Sequence, residues 1–300
     1  MKRNHLLIGG TGRSGTSYLV KLLHYCGLQT HLDPRFKKSE WHADAQAGLE
    51  DRYKSDEEQP YVLKSPWLYK DILDVIGDEN IEIDEIIIPI RTLKISAASR
   101  VIIDKQHQIR SHRHDDANLD LEDAGYIAGG GVFSLDVIDQ ARLLAVNFYE
   151  LIEKLVLNNI NFRLVSYPMI CSNDIYAFKI MSGVLPKSMG FSDFEPIHAK
   201  LKLEGAPRVE RELAEIINNP HESPRADLST ATSFAAYLRE IAEMKKEISY
   251  LKDKCNILTN ERDNLTAERQ DILKMNHESH VKVEDLNNIL NIIAEMARTK

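Results

Sequence analysis

The sequence predicts an α/β protein in three layers, a parallel sheet between helices, followed by a C-terminal α-helical coiled coil. Three observations predict it. Short apolar runs alternate with helical patterns along most of the 300-residue chain. A glycine-rich turn joins the first apolar run to the first helical pattern. After Thr232 the composition shifts to Glu, Lys, Asn and Leu in a heptad frame without proline.

The apolar runs at 5–8, 61–63, 85–90 and 162–165 read as buried strands, because a continuous apolar run bounded by polar or glycine-bearing turns suits a sheet covered on both faces. Helical spacing occupies 17–25, 67–76, 93–103, 137–157 and 174–181. Strand and helix in alternation imply crossovers, with ligands received at the carboxyl ends of the strands. Residues 106–131 are charged and histidine-rich, then glycine-rich, with no sustained period, and are expected to form a loop or lid over a site. Residues 186–224 carry Pro186, Pro196, Pro207, Pro220 and Pro224 and are expected to be irregular.

The expected division is an α/β domain over 1–232, a coiled coil over 233–276 and a short helix over 277–300. Ile241, Ile248, Cys255, Arg262 and Arg269 fall at heptad position a, and Tyr237, Met244, Leu251, Leu258, Leu265 and Ile272 at d. Glu240 with Lys245, and Glu247 with Lys252, occupy the g and following e positions that attract across a parallel dimer. About five heptads suffice to predict a homo-oligomer. Past Asn276 the frame is expected to fail, leaving 283–297 as a separate amphipathic helix.

Composition narrows the function classes. A formal net charge of -8 repels phosphate backbones, so nucleic acid is not an expected partner. Cys26, Cys171 and Cys255 are far apart, which predicts reduced thiols rather than a disulfide framework or a zinc module. The run Leu6, Leu7, Ile8 is too short for a signal peptide, and nothing approaches the roughly 20 apolar residues of a membrane span. A cytoplasmic protein is expected.

The chemistry is expected in residues 9–17, Gly-Gly-Thr-Gly-Arg-Ser-Gly-Thr-Ser. A strand, a glycine-rich turn and a helix bring backbone N–H groups and a positive helix terminus to bear on one anion. Glycines admit the anion close to the backbone, Thr16 and Ser17 add hydroxyls, and Arg13 adds a guanidinium. The nucleotide-hydrolysing motif G-x-x-x-x-G-K-[ST] fits Gly10, Gly15 and Ser17, but Thr16 stands in place of its lysine. The run 86–90 leads into Arg91 where an acid would hold magnesium. A metal-free anionic ligand is expected.

These residues resemble the sulfotransferases that use 3′-phosphoadenosine 5′-phosphosulfate, particularly carbohydrate-modifying members with their P-loop-like fold. Their 5′-phosphosulfate loop, Gly-x-Gly-Arg-Ser-Gly-Thr-Ser, is similar to residues 10–17. The resemblance implies donor contacts from Gly12, Arg13, Ser14, Gly15, Thr16 and Ser17. It also implies a 3′-phosphate site at Arg91 and Ser99, an arginine ending a strand and a serine eight residues on. Lys64, in Lys64-Ser65-Pro66, looks like the lysine that faces the transferring group. Pro66 stands where many small-molecule sulfotransferases have a histidine, and Tyr167 is followed by Pro168 and Met169 rather than the family's acid. The resemblance covers roughly residues 4–186.

Sulfuryl transfer needs in-line positioning, charge neutralisation and a base for the acceptor hydroxyl. Arg13 and Lys64 are assigned the charge. Asp33, Glu40 and His42 are the candidates after the first helix, with Glu40 chosen as the base. His107, His112 and His114 lack metal-ligand spacing, so no metal is expected, and Arg110 and Arg113 are offered to a sugar or anionic acceptor. The competing readings are a kinase-like nucleotide enzyme with a degenerate loop and a non-catalytic nucleotide-binding coiled-coil adaptor.

Overall fold

The computed structural model describes residues 2–36, 41–42, 47–50, 52–54, 57–113, 135–203, 208–218 and 227–298. The chain divides into two compact units, Met1–Glu240 and Ile241–Lys300.

The first unit is built on a four-stranded parallel sheet of β1 (Arg3–Ile8), β4 (Val62–Lys64), β5 (Ile81–Ile90) and β6 (Phe162–Ser166), in the order β4-β1-β5-β6. A short antiparallel pair, β2 (Trp41–His42) and β3 (Ala47–Gly48), lies apart from it. All four predicted strands are present. β5 starts four residues earlier than its apolar run, because Ile81 and Ile83 alternate with acids and so escape a search for continuous apolar sequence.

Successive strand residues point to opposite faces, and both faces are covered. Leu6, Ile8, Val62, Ile87 and Val165 pack against α1 (Thr16–Tyr25), α5 (Tyr167–Ser172), α6 (Asp174–Met181) and α7 (Phe191–Leu203). Leu7, Leu63, Ile86 and Ile88 pack on the other side against α2 (Leu68–Gly77) and α4 (Val137–Leu157). The result is the three-layer arrangement. A third cluster joins α3 (Leu93–Arg113), α4, α8 (Arg208–Asn218) and the start of α9 (Leu228–Arg298) through Ala98, Val101, Leu144, Leu213, Ala231 and Ala235. Among the described residues no helix is long and apolar enough to cross a membrane.

Several expectations are corrected. The predicted loop from 106 begins as helix, since α3 continues to Arg113, and residues 114–134 lie outside the described residues. Its polar face is buried rather than solvated: Gln106 Nε2 and Arg110 Nε donate to Glu240 Oε1 at 3.2 and 2.8 Å. Arg110 is therefore paired with a buried carboxylate while remaining partly exposed, and the side chains of His112, Arg113 and His114 lie outside the described residues. The proline-bearing stretch contains α7 and α8, with Pro196 inside α7. One lost backbone bond is tolerated there while Phe194 and Leu201 are buried.

α9 runs unbroken through 276, where a separate helix had been expected. Its first turns carry Ala231, Thr232, Ala235, Ala236 and Glu240 into the core of the first unit, so that unit ends beyond Thr232. Glu240 is buried there and bonded to Gln106 and Arg110.

Candidate functional site

The strand order decides what meets what. β4, β1 and β5 are adjacent and parallel, so Lys64, the loop at 9–17 and Arg91 leave the same edge of the sheet. β6 completes the edge with Tyr167.

The loop is held open by two glycines with left-handed backbone, Gly10 (φ 109) and Gly15 (φ 100). A side chain at Gly15 would place its Cβ 1.8 Å from Tyr167 Cδ2, so the ring rests directly on the loop. Gly15 is the N-cap of α1, and as a glycine it offers no side-chain cap to the first-turn N–H groups. Ser14 is buried and its Oγ donates to Thr11 O at 2.6 Å, bracing the loop from within. Gly12 and Thr16 are buried as well.

Arg13 has a positive φ of 71, unusual for a residue with a side chain. That turn lets it bridge the predicted anion residues: Arg13 Nε donates to Ser99 Oγ at 3.1 Å, while its carbonyl accepts from Arg91 Nη1 at 2.9 Å. Burial, then the charges of Arg91, Arg239 and Arg208, push its pKa down. A guanidinium with so high an ordinary value stays charged. Arg91 lies over the Tyr167 ring at 5.2 Å and is answered by Glu210, which accepts from its Nε at 2.7 Å and also pairs with its Nη2.

Lys64 forms the second focus. Its ammonium is buried and donates to Ser17 Oγ at 2.9 Å, Gly48 O at 2.7 Å and Glu50 Oε1 at 2.7 Å. Burial lowers its pKa to about 8, against the opposing effect of Glu50 and with a further push down from Arg13. Gly48 (φ 138) and Leu49 (φ 63) hold the backbone that aims this carbonyl and carboxylate at Lys64. A buried leucine in that conformation is strain the surrounding packing must hold.

The structure places Arg13, Ser14, Thr16, Ser17, Lys64, Arg91 and Ser99 at one edge of the sheet. Glu40 lies outside the described residues, and only the backbone of His42 is described. Asp33 is a half-buried turn residue, accepting from Arg35 N at 3.1 Å. Sequence reasoning missed Glu50 and Glu210, because nothing in the spacing of a single acid marks it as a cation's partner. The departure at Tyr167-Pro168 also has a structural sense: the proline sits in the first turn of α5, where its missing N–H costs nothing, and the tyrosine packs on Gly15 and Arg91.

No family model and no curated protein matches this sequence.

Proposed function

We propose that the chain transfers a sulfuryl group from 3′-phosphoadenosine 5′-phosphosulfate to a hydroxyl of a carbohydrate or related small molecule, on a sulfotransferase version of the P-loop-like fold. The observation that carries this reading is the convergence of the glycine loop, Arg91 with Ser99, and Lys64 at one edge of three adjacent parallel strands. The donor set fits a ligand with two separate anionic groups: uncapped first-turn amides and Ser17 near Lys64, and two guanidiniums with a buried hydroxyl near Ser99. Among the described residues the ends of β4, β1 and β5 lead into Lys64, Gly9 and Arg91 rather than an acid that would hold magnesium, and the nearby carboxylates of Glu50 and Glu210 are paired with Lys64 and Arg91.

The donor, when bound, supplies a sulfur–oxygen bond to phosphate that breaks as the acceptor oxygen bonds to sulfur, leaving adenosine 3′,5′-bisphosphate. The chain's own part is positional and electrostatic. Lys64 and the loop amides hold the negative charge gathering at the broken bond, and Arg13 with Arg91 and Ser99 fixes the far phosphate. Glu50 takes the role first given to Glu40: it is the carboxylate beside Lys64 and accepts the proton that the acceptor hydroxyl releases. A cytoplasmic location and a homo-oligomer joined through the C-terminal coiled coil complete the reading.

Thermal-shift titration tests it. Adenosine 3′,5′-bisphosphate at a hundredfold excess over its Kd should stabilise the protein by about 2.7 kcal/mol, without magnesium, and Arg91→Ala should abolish the shift. Stabilisation by magnesium-ATP alone would overturn the donor and leave the kinase-like reading. With labelled donor and a panel of sugars, Glu50→Gln should lower kcat by roughly 10²- to 10⁴-fold. Bisphosphate binding without transfer to any acceptor would identify a non-catalytic adaptor.

A further inference from the structure

We infer that residues 241–297 pair with a second copy of this chain as a parallel, in-register, two-stranded coiled coil whose seam passes through Asn276 to the end of the helix. The inference rests on the homo-oligomer reading of the tail and is independent of the donor.

The unbroken helix changes how the sequence beyond Asn276 is read. Kept in the same frame, Asn276 and Ser279 form one polar heptad, after which Val283 and Leu290 return at a and Leu286 at d, with Ile293 and Ala297 next in line. The seam is interrupted by a polar layer rather than ended. Most of its apolar residues are bare in the single chain, from 41% exposed at Ile241 to 66% at Leu265, and Val283, Leu286 and Leu290 are exposed as well. A helix with one apolar stripe and no covering gains most of its stability by burying that stripe.

The stripe specifies its partner. Ile241, Ile248 and Val283 put β-branched residues at a, and Leu251, Leu258, Leu265 and Leu286 put leucine at d, the combination that favours two strands. Arg262 and Arg269 at a are each preceded at g by a glutamate, Glu261 and Glu268. In a parallel in-register pair an a side chain packs against the preceding g residue of the other helix, so Arg262 meets the partner's Glu261 and Arg269 meets the partner's Glu268. Arg262 gives up only an exposed contact to Asp263 to do so. Asn276 faces its own copy, amide to amide, which fixes register at some cost in stability. Glu247 reaches the partner's Lys252. In an antiparallel pair a packs against d, which would set both arginines and Asn276 against a mainly leucine row, and g against g would bring glutamates together.

Cys255 supplies the test. It lies at a and is exposed, whereas Cys26 and Cys171 are buried, so an in-register parallel pair brings the two Cys255 side chains together across the seam. Sedimentation equilibrium of the full chain should give a dimer of a 34.2 kDa protomer. Mild oxidation with copper–phenanthroline should convert it to a covalent dimer on non-reducing gels, absent from Cys255→Ser. The double variant Leu258→Asp with Leu265→Asp should sediment as a monomer and lose the cross-link while still responding to adenosine 3′,5′-bisphosphate as the full chain does. A monomer, with the helix folded back on its own chain, or a trimer would overturn the inference. So would a dimer that fails to cross-link at Cys255, which is the signature of antiparallel or shifted helices.

Discussion

Gly15 and the ring of Tyr167 compete for one space, and glycine is what lets both stay. Gly15→Ala adds a Cβ 1.8 Å from the ring at a left-handed φ, so it must push Tyr167 off Arg91. Urea unfolding should show a loss of more than about 3 kcal/mol. Gly10→Ala, with a left-handed φ but its Cβ 3.1 Å from Ile88 Cγ2, should lose about 1–2 kcal/mol. Gly27→Ala, at φ 92 with nothing within 4 Å, should cost only the backbone strain of about 1 kcal/mol. Lys64 makes a prediction in pH. Its pKa falls from 10.5 unfolded to about 8 folded, so between those values the unfolded chain binds more protons and stability from this group rises with pH. The whole effect is on the order of 3 kcal/mol. Lys64→Met should flatten the stability curve between pH 8 and 10.5, measured by denaturant titration at each pH. The glycine loop was legible because its residue types alone mark a tight turn between a strand and a helix. Glu50 was not, because only the left-handed turn at Gly48 and Leu49 brings it to Lys64.

At the scale of elements, α8 is the part whose role no periodicity announced. It presents Glu210 to Arg91 and Glu212 to Arg239, whose Nη2 donates to Glu212 Oε2 at 2.6 Å. A phosphate arriving at Arg91 must therefore replace a carboxylate already there. Glu210→Gln removes that competitor, and calorimetry should show adenosine 3′,5′-bisphosphate binding at least about tenfold tighter, ~1.4 kcal/mol. The same variant should lower the stability of the free protein by about 1–3 kcal/mol, since Arg91 is left buried without its counter-charge. The strands were legible because a sheet covered on both faces needs continuous apolar runs, and the helices over 137–157 and 174–181 because their burial follows the helical period. The second half of α3 was not, because a helix whose buried face is built from Gln106 and Arg110 against Glu240 shows polar residues where the pattern demands apolar ones.

At the scale of the whole molecule, the division between units falls inside a continuous helix rather than in a linker. Ending the chain after Glu240 should leave a cooperatively unfolding first unit. Ending it after Thr232 removes Ala235, Ala236 and Glu240 from the core, and with them the carboxylate that accepts from Arg110 and Gln106, with a loss of several kcal/mol by the usual costs of cavities and broken buried pairs. Differential scanning calorimetry of the two chains separates these outcomes. The sequence marked the change of composition at this point but not the boundary, because packing of small alanines leaves no trace in a heptad count. The sheet order has a further consequence, in time rather than space. β1 is an interior strand whose neighbours arrive late, β4 at Val62 and β5 at Ile81, and the sheet closes only when Phe162–Ser166 joins β5. As the chain emerges from the ribosome, Leu6, Leu7 and Ile8 must wait unpaired for partners far downstream, which favours slow folding and makes the nascent chain aggregation-prone until β5 is made. Tyr167, which seats the loop, is delivered by the last strand of the sheet, so the loop after β1 is among the last parts of the sheet's edge to take its final shape.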